Sequence, residues 1–128
     1  MKENPYFKES EFKCKCGKCS LPEGMPTDEL IDKLVEIREH FDAPLTINSG
    51  YRCKAHNKKV GGAAASRHTF GDAVDFVVKG VPTKEVYSFC ESLEGIEKCG
   101  LAIKHNPDKF RGFVHLDTRG TKARWTYK

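Results

Sequence analysis

The sequence lacks any long hydrophobic run, and no segment of its 128 residues approaches the roughly 18 apolar residues of a membrane-spanning helix. Its first ten residues, MKENPYFKES, contain no apolar stretch of the kind found in secretory signal peptides. We therefore expect synthesis in the cytoplasm without a signal peptide, and no membrane partner. If the protein acts outside the cell, another factor must release it.

A strong excess of charge of one sign is also absent. The 22 Lys and Arg residues against 18 Asp and Glu residues give a net charge of +4. This surplus is too small and too evenly spread to predict a nucleic-acid-binding protein, although it suits an anionic partner. We expect no nucleic-acid partner.

Cysteine, by contrast, is abundant, with six residues in the chain. Three of them share one motif, CKCGKC, as Cys14, Cys16 and Cys19. In a chain without an export signal, such a cluster is more often related to metal than to disulfides. It predicts a structural metal site, with a disulfide or reduced loop thiols as alternatives. The candidates for its fourth ligand are Cys53, His56 and Cys99.

Periodic apolar residues predict two helices in one domain, residues 1–128, in which residues 1–26 form a cysteine-containing N-terminal arm. The first helix lies in TDELIDKLVEIREHF, with Thr27 as its N-cap. The second lies in PTKEVYSFCESLEG, with Thr83 as N-cap and Gly95 as C-cap.

Four segments read as strands: PLTINS, DAVDFVV, CGLAIK and GFVHLDTR. Residues 53–71 form a long loop of small residues. Trp125 and Tyr127 in the tail ARWTYK are expected to close the core, with the lining of a cleft as the alternative. This order predicts an α+β fold, with a small, mainly antiparallel sheet and helices packed on one face.

A carboxylate stands in the middle of one predicted strand, because Asp75 interrupts the apolar run DAVDFVV. A charge removed from water needs a partner. Strand alternation puts Asp75 and His115 on the faces opposite their apolar neighbours, and a turn at Gly71 can bring His68 back over Asp75. Two imidazoles and one carboxylate suit a catalytic zinc ion with one position open to water.

Ordinary roles remain open for each of these residues. Asp75 could instead accept hydrogen bonds from loop amides or from Arg52. His68 and His115 could be half-buried histidines without a ligand.

The segment SRHTFGDAVDF, residues 66–76, resembles the SxHxxGxAxD signature of the M15 zinc peptidases at every specified position. SGYRCKAHNKKVGG, residues 49–62, resembles the preceding segment of that family, and GFVHLDTRG resembles the strand that brings its last zinc ligand. The likeness covers nearly the whole chain and is closest to the small phage- and bacteria-encoded branch that cleaves peptidoglycan peptides. It implies a fold related to D-alanyl-D-alanine carboxypeptidases and to the hedgehog signalling domain.

The resemblance implies that His68, Asp75 and His115 are the ligands of Zn²⁺. It implies that Arg52 steadies a substrate carbonyl or carboxylate, with a structural salt bridge as the alternative. It also implies that Ser66 lies beside the substrate, with a turn hydroxyl as the alternative.

The general base is where the sequence departs from the family. Many members carry Asp or Glu three residues before the last histidine, where this chain has Gly112. Asp117 is the expected replacement, because two residues along a strand span roughly 6.5–7 Å, within reach of a water beside the zinc ion. Its alternative role is to orient His115 or to pair with Arg119. Weaker candidates on the preceding loop are Asp108 and His105.

The expected function is hydrolysis of peptidoglycan stem or cross-bridge peptides by a monomeric zinc peptidase of the carboxypeptidase or endopeptidase type. It would act on the cell wall after release of the phage or prophage kind. Zinc would lower the pKa of bound water toward ~7 and polarise the scissile carbonyl. The alternative, which Gly112 keeps open, is a non-catalytic, zinc-stabilised binding or structural module, hedgehog-like or part of a phage particle.

Overall fold

Five strands form one sheet in the computed structural model, which describes residues 1–128. The strands are β1 (Leu45–Ser49), β2 (Ala73–Val78), β3 (Gly100–Lys104), β4 (Phe113–Asp117) and β5 (Ala123–Tyr127). Their order across the sheet is β1-β2-β4-β3-β5. Every neighbouring pair is antiparallel except β3 and β5, which run parallel. The predicted α+β fold with a mainly antiparallel sheet is confirmed.

Two helices, α1 (Asp28–Phe41) and α3 (Thr83–Cys90), pack on one face of this sheet. Their apolar side chains join those of the strands in one cluster of 18 buried residues. As predicted, α1 begins after Thr27, whose hydroxyl accepts a hydrogen bond from the amide of Leu30 at 3.2 Å. None of the helices has the length and apolar character needed to span a membrane.

The opposite face of the sheet carries a row of paired residues that crosses four strands. Asp75 on β2 pairs with His115 on β4, which pairs with Ala102 on β3, which in turn pairs with Trp125 on β5. Because side chains alternate along each strand, the apolar neighbours of Asp75 and His115 fill the core on the other side.

Three local features differ from the predictions. The loop expected over residues 53–71 contains the short helix α2 (Lys54–Lys59) and a 3₁₀ turn. Helix α3 ends at Cys90, well before Gly95, and Thr83 is its first residue rather than its N-cap. The Thr83 hydroxyl instead donates a hydrogen bond to the carbonyl of Arg111 at 2.6 Å.

The aromatic tail was predicted only as a tail, yet it forms strand β5 along the edge of the sheet. Trp125 and Tyr127 consequently point to the face that bears Asp75 and His115. They line a cleft there and do not close the core, so that expectation was wrong.

Gly112, directly before β4, has a backbone conformation that suits only glycine. Its φ is 83°, and a Cβ atom would collide with the carbonyl oxygen of Lys104 at the end of β3. Gly120 also has a positive φ, 93°, but a Cβ there would meet open space. An added Cβ atom would therefore meet a left-handed backbone at both glycines, but it would collide with another residue only at Gly112.

We expect Gly112→Ala to reduce the free energy of unfolding more than Gly120→Ala does. Both variants carry the left-handed backbone cost of about 1–2 kcal/mol. Gly112→Ala should lose about 1–3 kcal/mol in addition, because β3 or β4 must shift. Guanidinium denaturation of the two variants measures the difference, and equal losses would contradict the collision.

Candidate metal centre and cleft

Two imidazoles and one carboxylate converge on the sheet face opposite the helices. Nε2 of His68 lies 3.1 Å, and Nδ1 of His115 lies 2.9 Å, from the same oxygen, Oδ1 of Asp75. The ligand atoms of the three residues all lie within 4.8 Å of one another. The structure thus brings together the three side chains that the sequence selected as metal ligands.

A tight turn carries His68 over strand β2. The 3₁₀ turn Arg67–Phe70 begins with Ser66, whose hydroxyl accepts a hydrogen bond from the amide of His68 at 3.3 Å. It ends at Gly71, whose φ of 88° reverses the chain into β2. The predicted reversal at this glycine therefore places His68 beside Asp75.

The backbone determines which nitrogen of His68 carries a proton. Nδ1 lies 2.8 Å from the carbonyl oxygen of Gly50, which can only accept, so Nδ1–H donates. In a neutral imidazole, Nε2 then carries a lone pair. This Nε2 atom is buried without a hydrogen-bond partner, although it faces the Asp75 carboxylate.

The ring of His115 is held in the same way by a carboxylate. Nε2 donates to Oδ2 of Asp117 at 2.7 Å, while Nδ1 faces Asp75. Asp117 is itself bound by Arg119 through two side-chain hydrogen bonds of 2.9 and 2.7 Å, and by the amide of Gly100 at 3.1 Å. A carboxylate behind a histidine ring is the usual way in which proteins orient a metal ligand.

The donor set fits a bound cation. The free nitrogens of two histidines point at one carboxylate oxygen, and acceptors that face each other need a positive charge between them. Tetrahedral zinc with ligands at about 2.0–2.1 Å would separate neighbouring donor atoms by roughly 3.3 Å. The distances of 2.9 and 3.1 Å are close to this value.

The pKa shifts of these groups show that the site favours positive charge beside an ionised Asp75. Burial would raise the pKa of Asp75, but the hydrogen bond with His115 and the nearby His68 outweigh burial and lower the pKa to about 2. Burial opposes the charged form of His115, but Asp117 and Asp75 outweigh it and raise the pKa of that imidazole. Asp75 is thus an ionised carboxylate that attracts a cation or a proton.

Asp117 was expected to act as the general base, and its position disfavours that role. Its side chain is completely buried and does not line the cleft. Burial alone would raise the pKa of Asp117, but the hydrogen bonds from Arg119 and His115 hold it well below the usual range. Asp117 stands behind the His115 ring, so the geometry favours the alternative of a residue that orients His115 and pairs with Arg119.

The other candidates for the base lie outside the cleft. His105 and Asp108 are exposed on the loop between β3 and β4, and neither lines the cleft. An acidic side chain at Gly112, the position that the resemblance assigns to the base, would collide with the carbonyl oxygen of Lys104. Asp75 is the only carboxylate that lines the cleft.

The cleft above the three candidate ligands has a volume of about 490 Å³. Arg52 lies on its wall and donates to the Ser66 hydroxyl at 3.3 Å, while its Nε is buried without a partner. The salt bridge to Asp75 considered as the alternative for Arg52 does not form, because Asp75 pairs with the two histidines. The Ser66 hydroxyl supports the turn, as in the alternative considered for it, and the residue also lines the cleft.

Aromatic side chains from β4 and β5 form one wall of the cleft, and the Arg119 guanidinium lies 5.1 Å from the centre of the Trp125 ring. The parallel pairing of β5 brings Trp125 and Tyr127 to this wall, and no sequence pattern predicts that pairing. Phe113, on β4, is a cleft residue that the sequence did not single out.

The cysteine motif forms a second group of potential metal ligands, away from the cleft. Its three thiols, Cys14, Cys16 and Cys19, lie with Cys53, and the four sulfur atoms are within 4.8 Å of one another. Cys99, another candidate for the fourth position, is buried beside the carbonyl of Gly95 instead. The candidate His56 is absent from the group, although its amide donates to the Cys53 sulfur at 3.5 Å.

The family model described as Peptidase M15 matches residues 5–117, which include all three candidate ligands and all six cysteines. A search among curated proteins found no match.

We expect Asp117→Asn to weaken zinc binding at the cleft by about 10–100-fold. An asparagine amide would donate to Nε2 of His115, which leaves the ring proton on Nδ1, the atom that faces Asp75. Competition with a chromophoric chelator measures the affinity, and circular dichroism checks the fold.

Asp108→Asn is the matched control, because it removes an exposed carboxylate from a neighbouring loop. It should leave the affinity unchanged. An unchanged affinity in Asp117→Asn would show that Asp117 does not orient His115.

Proposed function

The chain belongs to the peptidase M15 family, and from this premise we propose that it is a zinc-dependent peptidase that cleaves peptidoglycan stem or cross-bridge peptides at the cell wall. The observation that carries the proposal is the convergence of His68, Asp75 and His115 beside a cleft that Asp75 and His115 line. Two imidazoles and a carboxylate with an open side are a ligand set of catalytic zinc.

Each residue of the cleft has a distinct task in this proposal. His68, Asp75 and His115 would hold the ion, which when bound supplies a Lewis acid for the scissile carbonyl and activates water. The Gly50 carbonyl and the Asp117 carboxylate keep the proton on the far nitrogen of each imidazole. Both rings therefore present a lone pair to the ion.

Arg52 is the residue that we assign to the substrate. Its guanidinium carries unpaired donors, because Nε is buried without a partner and the group makes no ion pair with Asp75. Fixed donors of this kind bind a carboxylate or stabilise charge that develops on a carbonyl oxygen. Ser66 supports the guanidinium through a hydrogen bond of 3.3 Å.

The choice of peptidoglycan rests on the chemistry of the cleft. Stem peptides are short and carry free carboxylates, which suit a wall that presents Arg52. The opposite wall is aromatic, with Trp125 and Tyr127, and can contact the apolar side chains and backbone of a short peptide. The net charge of +4 also favours an anionic polymer.

A second candidate function is a non-catalytic, zinc-stabilised binding module. It is favoured by the same cleft, which contains no carboxylate other than Asp75 and has Gly112 at the position of the family base. Such a module would bind wall peptides and leave them intact.

Incubation of the zinc-loaded protein with purified peptidoglycan, followed by mass spectrometry of the soluble muropeptides, tests the proposal. We expect new peptide termini that disappear with chelator and return with added zinc. Binding to peptidoglycan without new termini would contradict the peptidase and support the binding module.

We expect Arg52→Ala to reduce turnover by about 10²–10³-fold, since it removes donors to a developing charge. Arg52→Lys should recover part of this loss, because a lysine retains the charge but not the planar donors. Arg111→Ala is the control, because Arg111 is 78% exposed and lies outside the cleft. Equal turnover in Arg52→Ala and Arg111→Ala would remove Arg52 from the site.

At saturating zinc, Asp117→Asn should turn over substrate at nearly the wild-type rate. This follows because its defect is expected in metal binding and not in proton transfer. A loss of about 10²–10⁴-fold under those conditions would instead restore Asp117 as the general base.

A further inference from the structure

We propose that Cys14, Cys16, Cys19 and Cys53 bind a structural zinc ion that clamps the N-terminal arm to the wall of the cleft. All four are free cysteines, and their sulfur atoms lie within 4.8 Å of one another. They come from two segments of the chain, because 33 residues lie between Cys19 and Cys53. A closed set of four thiolates is a common form of structural zinc site.

The sulfur positions approximate a tetrahedron of the right size. Zinc–sulfur bonds of about 2.3 Å at tetrahedral angles put neighbouring sulfur atoms roughly 3.8 Å apart. The Cys14–Cys53 distance is 3.8 Å, Cys16–Cys53 is 4.0 Å and Cys16–Cys19 is 3.2 Å. Of these three pairs, Cys16–Cys19 would have to separate slightly, and the other pairs lie within 4.8 Å.

Backbone amides already surround the sulfur atoms as they do around metal thiolates. The amide of Cys53 donates to the Cys14 sulfur at 3.4 Å, and the amide of Lys18 donates to the Cys16 sulfur at the same distance. The amide of His56 donates to the Cys53 sulfur at 3.5 Å. Such hydrogen bonds stabilise negative charge on sulfur.

The charge around the cluster is also suitable. Four thiolates around a divalent ion leave an excess of negative charge. The surface groove beside the cluster is lined by three lysines and no acidic residue. The lysines are Lys15, Lys18 and Lys59.

A disulfide explains the cluster less well than a metal ion does. The closest pair, Cys16 and Cys19, is 3.2 Å apart, whereas a disulfide needs about 2.05 Å. A bond between these two would leave Cys14 and Cys53 without a function, although all four sulfur atoms lie within 4.8 Å of one another. One ion uses all four.

The cluster is connected to the cleft by four consecutive residues. Gly50 accepts from the His68 ring, and the amide of Tyr51 donates to the carbonyl of Phe12 in the arm at 2.8 Å. Arg52 lines the cleft, and its own amide donates to the carbonyl of His68 at 2.9 Å. Cys53 follows directly, so an ion bound there would hold the segment that orients His68 and Arg52.

Zinc content per chain, measured by elemental analysis of full-length protein purified with zinc, tests the second site. The wild type should contain about two zinc ions, while Cys16→Ser and His115→Ala should each contain about one. Cys16 is chosen because it is only partly buried. Cys90→Ala is the control, because Cys90 is buried in the core outside the cluster, and it should retain both ions.

Substitution of cobalt(II) for zinc tests whether the ligands are thiolates. Thiolate ligands produce sulfur-to-cobalt charge-transfer absorption in the near ultraviolet, whereas histidine and carboxylate ligands do not. We expect this band in the cobalt-loaded wild type and in His115→Ala. Absence of the band in reduced wild type, or a zinc content that Cys16→Ser does not change, would overturn the proposal, as would a Cys16–Cys19 disulfide in peptide maps.

Limited trypsin digestion tests the clamp itself. The arm offers cleavage sites within the cluster, after Lys13, Lys15 and Lys18. In Cys16→Ser, or after zinc removal, we expect cleavage there at least about tenfold faster than in the zinc-loaded wild type. His115→Ala should keep the wild-type rate, because its cluster is intact. Equal rates with and without metal at the cluster would mean that no clamp exists.

Discussion

The cleft face of the protein depends on one carboxylate oxygen, Oδ1 of Asp75. Both imidazoles point their free nitrogen at it, and each ring is held from behind by an acceptor, the Gly50 carbonyl for His68 and the Asp117 carboxylate for His115. Such a convergence is stable only if a proton or a metal ion lies among the three side chains. The apolar neighbours of Asp75 on β2 are fully buried, so core packing fixes the oxygen in place.

Asp117 contacts the His115 ring from behind and lies outside the cleft. Gly100 on β3 provides the space for its carboxylate, because a Cβ atom there would collide with it. Arg119 covers the same carboxylate and lies beside the Trp125 ring, so water cannot reach it easily. A carboxylate that is so fully occupied can hold a histidine in one tautomer, but it makes a poor proton acceptor.

Much of this arrangement can be predicted from the sequence, and there are physical reasons why the rest cannot. Period-two and helical patterns predict β2, β4 and α1, and strand alternation with a turn at Gly71 selects the three candidate ligands. The same alternation puts Asp117 on the face of His115, but it does not show which nitrogen of the ring Asp117 contacts. Helix α2 has the sequence KAHNKK, which lacks an apolar stripe, and β5 pairs with a strand distant in the chain, so neither leaves a local signal.

The N-terminal arm packs against the chain segment that positions residues of the cleft. Gly50 lies so near to the arm that a Cβ atom would approach the Phe12 carbonyl oxygen to 2.6 Å, so only glycine fits between them. The carbonyl of that same glycine accepts the proton of His68. A displacement of the arm would therefore move the acceptor that determines the tautomer of a candidate ligand. The arm at Phe12 and the ring of His68 are thus linked through Gly50, without any contact between the two groups of ligands.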